Sequence, residues 1–286
     1  MSEIDHFAYG LLTPALACAM SCIGSWLGLQ CAARARFAGR TRAGWLALAA
    51  VSIGGTGIWV MHFIALLGFR VRDVQIRYDV DLTLLSAVVA IAVVGVGVFL
   101  VGYGRGSPRA LLMGGLITGL GLASMHYIGL AALRMNGQIS YNWLIVGASV
   151  LAAVLAATLA LWVIVQVRGH WATTGAAVVL GLAFNGVHYI GMAAIQVRED
   201  PNASLPSGAS GFDFLLPLLI GISVVAMLLL VTIGLSLSEH EIALEEQFEQ
   251  QLRALDRQRE TGRPPRDAVS SPESRQSLAG RPSPWR

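Results

Sequence analysis

"GLGLASMHYIGLAALR", residues 119–134, sets a Met-His-Tyr triplet in the middle of an apolar stretch. The stretch recurs. Residues 181–196 read "GLAFNGVHYIGMAAIQ", and residues 55–70 read "GTGIWVMHFIALLGFR". Each copy has Gly seven places before the His and an aromatic residue directly after it. His62, His126 and His188 are separated by 64 and 62 residues. A period longer than one helix, present three times, is the pattern of a duplicated two-helix unit.

The flanking sequence decides the fold. The chain has 286 residues, 55% of them hydrophobic and 13% charged, and a mean hydropathy of +0.63. A soluble domain carries about 25% charged residues. The apolar residues here come in long blocks, and blocks of about 18 or more read as membrane-spanning helices. The expected fold class is therefore all-α: a polytopic membrane protein of seven transmembrane helices, three two-helix repeats plus a seventh helix. The spans fall at about 11–31, 45–68, 82–102, 110–133, 144–166, 175–196 and 214–236, each able to cross about 30 Å of hydrocarbon. Residues 1–10 hold two acids and no basic residue. A cleaved secretory signal needs a positive start, so the first span is expected to stay as an anchor.

Arginine placement orients the bundle. All twenty basic residues are Arg, against 17 acids, for a net charge of +3. The first, third and fifth loops hold seven of them: Arg34, Arg36, Arg40, Arg42, Arg105, Arg109 and Arg168. The even loops hold five, and eight more follow the last span. Basic residues mark the cytoplasmic side. The odd loops and the C-terminus are thus expected inside, with residues 1–10 outside the cytoplasm. Basic residues confined to loops and tail give no argument for a nucleic-acid partner.

This orientation sends the three histidine-bearing spans outward in parallel. Each His then lies six to eight residues before its outer end, roughly 10 Å below the surface at about 1.5 Å per residue. A polar group in hydrocarbon needs a partner, and ionisable residues in spans face the bundle interior and mark functional sites. One interhelical hydrogen bond per His would also satisfy the requirement. Three at one depth in one repeated motif point further, to a shared site.

Met61 and Met125 precede their histidines, and Met192 follows His188 by four on nearly the same helix face. Neutral imidazole suits Cu, Zn, Fe and Ni, while thioether sulfur favours Cu(I). The expected metal ligands are His62, His126, His188, Met61, Met125 and Met192, and the expected cofactor is copper. Gly or Ala recurs at seven and five places before the His and three after it, where small side chains let membrane helices approach. Asn185 lies three before His188, placed to orient its ring or to bond another helix. Cys18 falls at a similar depth on the first span and would add a soft ligand if it faced inward. Three Cys in such positions suggest no disulfide framework. His6 and Tyr9 stand where they could cover the outer mouth, whereas His170 and His240 fall at the opposite side.

The motifs opened by the triplets "MHF", "MHY" and "VHY", at 61–66, 125–130 and 187–192, resemble the MHYT domain, a bacterial seven-span sensor module, over about residues 5–236. The resemblance implies a bacterial cytoplasmic-membrane protein that binds copper through motif residues. It further implies sensing of a diatomic gas or redox signal (oxygen, carbon monoxide or nitric oxide). It carries over onto His62, His126 and His188, Met61 and Met125, and Tyr127 and Tyr189. The sequence departs from the pattern at Phe63, which replaces Tyr, and at Val187, which replaces Met. The fourth motif position is Ile64, Ile128 and Ile190, with no hydroxyl.

Residues 237–261 place Leu237, Leu244, Phe248, Leu252 and Leu255 on one stripe, a cytoplasmic helical extension that could pair with its twin or a partner helix. Residues 262–286 are rich in Pro, Ser, Gly and Arg and read as a disordered basic tail. Fifty residues after the last span are too few for a cyclase or kinase domain. The sequence offers no nucleophile–base pair and no phosphate loop after a strand, so no enzyme activity is expected. Three function classes remain: a metal-dependent membrane sensor reporting to a cytoplasmic signalling partner, a copper or small-solute transporter or channel, and a haem-binding redox protein. The sensor accounts best for three equivalent histidines.

Overall fold

The structure, a computed structural model, describes residues 4–5, 7–71, 74–199, 207–211, 216–224, 226–229 and 231. All of them belong to one unit, Met1–Val231. The helical extension expected at 237–261, the tail expected at 262–286 and His6 lie outside the described residues.

Among the described residues, six helices are long and apolar enough to cross a membrane: α1 Leu12–Ala35, α2 Gly39–Leu67, α3 Val80–Tyr103, α4 Pro108–Ala131, α5 Trp143–Gln166 and α6 His170–Met192. They correspond to the first six expected spans. The expected seventh is described only in part, with Leu216–Leu229 helical over its described residues. Helix starts follow local chemistry. The side chains of Asp79, Ser107 and Asn142 accept hydrogen bonds from Leu82, Ala110 and Leu144 N–H groups, capping α3, α4 and α5. Pro108 takes the first position of α4, where no N–H is needed. α6 starts five residues earlier than the expected 175 and stops at Met192, because residues Ile195–Glu199 leave it as a strand.

Each helix packs on its chain neighbours, and α6 packs back on α1, so the six close into a ring. Close approach is built into the sequence. A Cβ on Gly24 of α1 would fall 2.3 Å from the Gly57 backbone nitrogen of α2. α2 is the most enclosed element, with 83% of its apolar window buried, against 33–44% for the other five. The outward faces carry Leu85, Val88, Leu112, Leu116, Leu151, Leu155 and Val179, all exposed. An apolar exterior around a core that contains His, Ser and Thr is what a lipid environment requires.

The middle of α2, Val51–Val60, is π-helical. Such wider turns are rare and occur often at functional sites. The segment "SIGGTGIWV" is buried on all sides, and it ends one residue before Met61 and His62. Trp59 at its end donates from Nε1 to Ser86 Oγ at 2.9 Å, tying α2 to α3.

The histidine end of the bundle is not purely helical, as the sequence reading had it. Three short antiparallel ribbons close it: β1 Ile4–Asp5 with β2 Arg70–Val71, β3 Arg77–Tyr78 with β4 Leu133–Arg134, and β5 Gly137–Tyr141 with β6 Ile195–Glu199. Each ribbon joins the strand before an odd helix to the strand after the next even one. The order strand–helix–helix–strand therefore runs three times along the chain.

Candidate metal centre

His62 lies five residues before the end of α2 at Leu67, His126 five before Ala131 of α4, and His188 four before Met192 of α6. These are alternate helices of the ring, so the three side chains reach the axis from three directions. All are buried, at 1%, 7% and 3% exposure. Their Nδ1 atoms converge. His62 Nδ1 stands 3.0 Å from His188 Nδ1 and 3.2 Å from His126 Nδ1. The rings meet edge to face, with centroids 4.9–5.3 Å apart.

Hydrogen bonds alone do not account for this. One imidazole nitrogen offers either one N–H or one lone pair. The two contacts to His62 Nδ1 thus ask more of that atom than it can give. A cation at the centre would accept a lone pair from each. Three nitrogens held about 2.0–2.1 Å from one ion stand about 3.3–3.6 Å from each other, and 3.0 and 3.2 Å lie just inside that separation. Among the described residues these three histidines form the one group of His, Cys, Asp or Glu with metal-ligand spacing, all ligand atoms within 4.8 Å.

What turns the rings inward is packing between the repeated motifs. A Cβ at Gly129 would stand 2.5 Å from His62 Nε2, and one at Gly191 would stand 2.3 Å from His126 Nε2. The rings of His62 and His126 thus each rest on the glycine three residues after the next histidine. The small residue at that position was expected to draw the helices together; it also seats the neighbouring imidazole. His62 Nε2 and His126 Nε2 are buried against that backbone and have no hydrogen-bond partner among the described residues.

The cluster borders a cavity of about 30 Å³, lined by the three histidines with Met61, Met125, Ile58, Leu122, Phe184 and Val187. One water needs about 10–15 Å³ measured this way, so the space suits a very small ligand. Toward the other end of the bundle, Ile53, Val94, Val98, Leu161 and Ile164 surround a void of only about 10 Å³.

Several expected supporting residues stand elsewhere. Met192 is buried but does not line the cavity; Val187, the residue that replaces the third Met, lines it instead. Asn185 does not orient an imidazole. Its Nδ2 donates to Gly181 O on its own helix at 2.8 Å. Cys18 is outside the cluster, and α1 meets α6 through Cys22, which packs against Gly181. Tyr127 turns to α5, its hydroxyl 2.7 Å from Ser149 Oγ. The Tyr189 ring lies 5.0 Å from that of His188 and 5.6 Å from that of Phe7. Tyr9 does not line the cavity; it accepts a 2.6 Å hydrogen bond from Arg70, whose guanidinium also covers its ring. The cavity wall from Ile58, Leu122 and Phe184 was not singled out from the sequence. Its spacing, four residues before each histidine, was the available signal.

Residues 55–114 and 119–177 match the MHYT family model, described as a bacterial signalling protein N-terminal repeat. The chain belongs to the MHYT family. Relatives include the bifunctional diguanylate cyclase/cyclic di-GMP phosphodiesterase MucR of Pseudomonas aeruginosa. It is 35% identical over an alignment of 238 positions, which covers 79% of this chain and 34% of that protein. The cyclic di-GMP phosphodiesterase NbdA of the same organism is 32% identical over 59% of this chain and 22% of its own length. Signaling protein YkoW of Bacillus subtilis is 26% identical over 68% of this chain and 25% of its own length. The match to this MHYT chain thus spans about a fifth to a third of these relatives. No solved structure matches it.

Proposed function

We propose that this MHYT protein is a membrane sensor in which His62, His126 and His188 hold one copper ion through Nδ1, with Met61 and Met125 beside it. The observation that carries the reading is the convergence of three Nδ1 atoms from three helices on a cavity that both methionine side chains line. Reduced copper would supply a soft centre with an open position for oxygen, carbon monoxide or nitric oxide. The protein's part is to fix three neutral nitrogens, exclude bulk water with Ile58, Leu122 and Phe184, and admit only a very small ligand.

The chain itself catalyses no reaction in this reading. Its helices pass the signal to a cytoplasmic partner or to a second copy. The names of its relatives make a cyclic di-GMP enzyme the favoured class of output. The arginine-rich odd loops face the cytoplasm and the three motifs arose by duplication of the strand–helix–helix–strand unit. A cavity of about 30 Å³ has no room for a haem macrocycle, and the void beneath it is only about 10 Å³.

The test is elemental analysis with a visible spectrum of the detergent-purified protein. About one copper per chain is expected, lost in the His62→Ala, His126→Ala, His188→Ala triple variant. Copper content unchanged in that variant would sink the assignment.

A further inference from the structure

The end of the bundle opposite the histidines holds a second cavity, about 190 Å³ in volume, for which the proposed sensor site has no use. Arg36, Arg42, Arg105 and Arg168 line it, over an apolar floor that includes Leu46 and Ile164. Four guanidiniums, one from the start of α2 and one from each of three inter-helix connections, thus share one space. The acidic residues of the described segments, Asp5, Asp79, Asp81 and Glu199, all belong to elements at the histidine end.

Two of the arginines have structural work. Arg36 Nη2 donates to the carbonyls of Ile164 and Val167, and Arg42 Nη2 donates to that of Gly102. Carbonyls at helix C-termini need such donors. The Arg42 guanidinium also lies over the Tyr103 ring at 5.0 Å. Even so, Arg42 Nε is buried without a partner among the described residues. Burial and the nearby Arg168 charge both lower the pKa of Arg36. Arg105 and Arg168 have no carboxylate or carbonyl partner among the described residues. Arg105 is held at φ +52°, the one non-glycine residue described with a positive φ, between Gly104 and Gly106. Strain of that kind is often kept where a side chain must point to a site.

We infer that this cavity binds a phosphoryl group, its charge met by Arg36, Arg42, Arg105 and Arg168. Guanidinium matches phosphate oxygens in paired hydrogen bonds and holds its charge when partly buried. The group is either the headgroup phosphate of an anionic lipid or a soluble phosphate, and both present the same oxygens. The site is independent of any metal at the other end.

The full chain, purified in detergent, is titrated with inorganic pyrophosphate, with phosphatidylglycerol and with uncharged diacylglycerol, the readout being the rise in melting temperature. The variant joins Arg105→Asn, because Asn tolerates positive φ, to Arg168→Gln; both positions are exposed, so folding is preserved. Its melting temperature without probe checks this. Arg109→Gln, at the same end but outside the cavity, is the control. At least one phosphate probe should stabilise the wild type and the control while diacylglycerol does not, and the double variant should need at least tenfold more of it. Phosphatidylglycerol alone assigns a lipid, and pyrophosphate alone assigns a soluble ligand. No response to either probe, or an undiminished response in the double variant, overturns the inference.

Discussion

Replacing Gly191 by Ala tests the seating of the histidines with one added carbon. The new Cβ would stand 2.3 Å from His126 Nε2, 2.9 Å from Cδ2 and 3.0 Å from Cε1, where ordinary contact begins at 3.4 Å. The ring must retreat by 3.4 − 2.3 = 1.1 Å. It is only 7% exposed and is bounded by His62 and His188, with Nδ1 already 3.2 Å from His62 Nδ1. A retreat of that size exceeds the tolerance of about 0.2 Å expected of metal–ligand distances. Overpacking a close-fitted core costs about 1–3 kcal/mol. For a chain of this size that is a fall in melting temperature on the order of 5 °C. Gly175 on the same helix has nothing within 4 Å of its would-be Cβ, so Gly175→Ala is the matched control. Copper per chain and the copper-free melting temperature are measured for both. Gly191→Ala should lose copper and melt lower even without metal. If the two variants agree in both readouts, the ring does not depend on that glycine and the reasoning fails.

Tyr127→Phe should cost about 0.5–1.5 kcal/mol through the lost bond to Ser149 and leave copper content unchanged; copper loss would put the phenol at the site. Met125→Leu should weaken copper retention and Met192→Leu should not, since only the former side chain lines the cavity; equal effects would refute that division. The hydrogen bond from Arg134, helped by Leu82 N–H, holds the Asp79 carboxyl below its ordinary value. Its contribution is complete above the ordinary pKa of about 3.9 and disappears as pH falls through the lowered folded value. The wild-type melting temperature should therefore fall more steeply in that acid window than that of Asp79→Asn, and parallel curves would remove the linkage.

The first six spans, and the place of His62, His126 and His188 near the ends of alternate helices, were legible because apolar block length and residue counting are properties of the chain alone. Side-chain direction was harder. Met192 and Val187 are equally plausible by spacing, yet only Val187 reaches the cavity, because the choice depends on how α6 is rotated against α2 and α4. Tyr127 had no written cue to leave the histidines for Ser149, which sits on a different helix. The two-residue strands at Arg70–Val71 and Leu133–Arg134 are too short for any alternation to appear. The π-helical turns of Val51–Val60 have no composition that separates them from α-helix beyond three glycines. The arginine cavity was visible only as a topological bias, because Arg36 and Arg168 come together across 132 residues of chain.

The two seats described above run the same way round: the α2 imidazole on the α4 glycine, and the α4 imidazole on the α6 glycine. That gives the cluster a handedness which near-identical sequence motifs do not announce. A displacement of His62 acts first on the backbone of α4, and through His126 on that of α6. Substitutions in successive motifs should then be coupled, with interaction energies of about 0.5–3 kcal/mol, as contacting groups are. Three copies of one motif thus behave as an ordered sequence, in which the same change has a different reach depending on the helix where it starts.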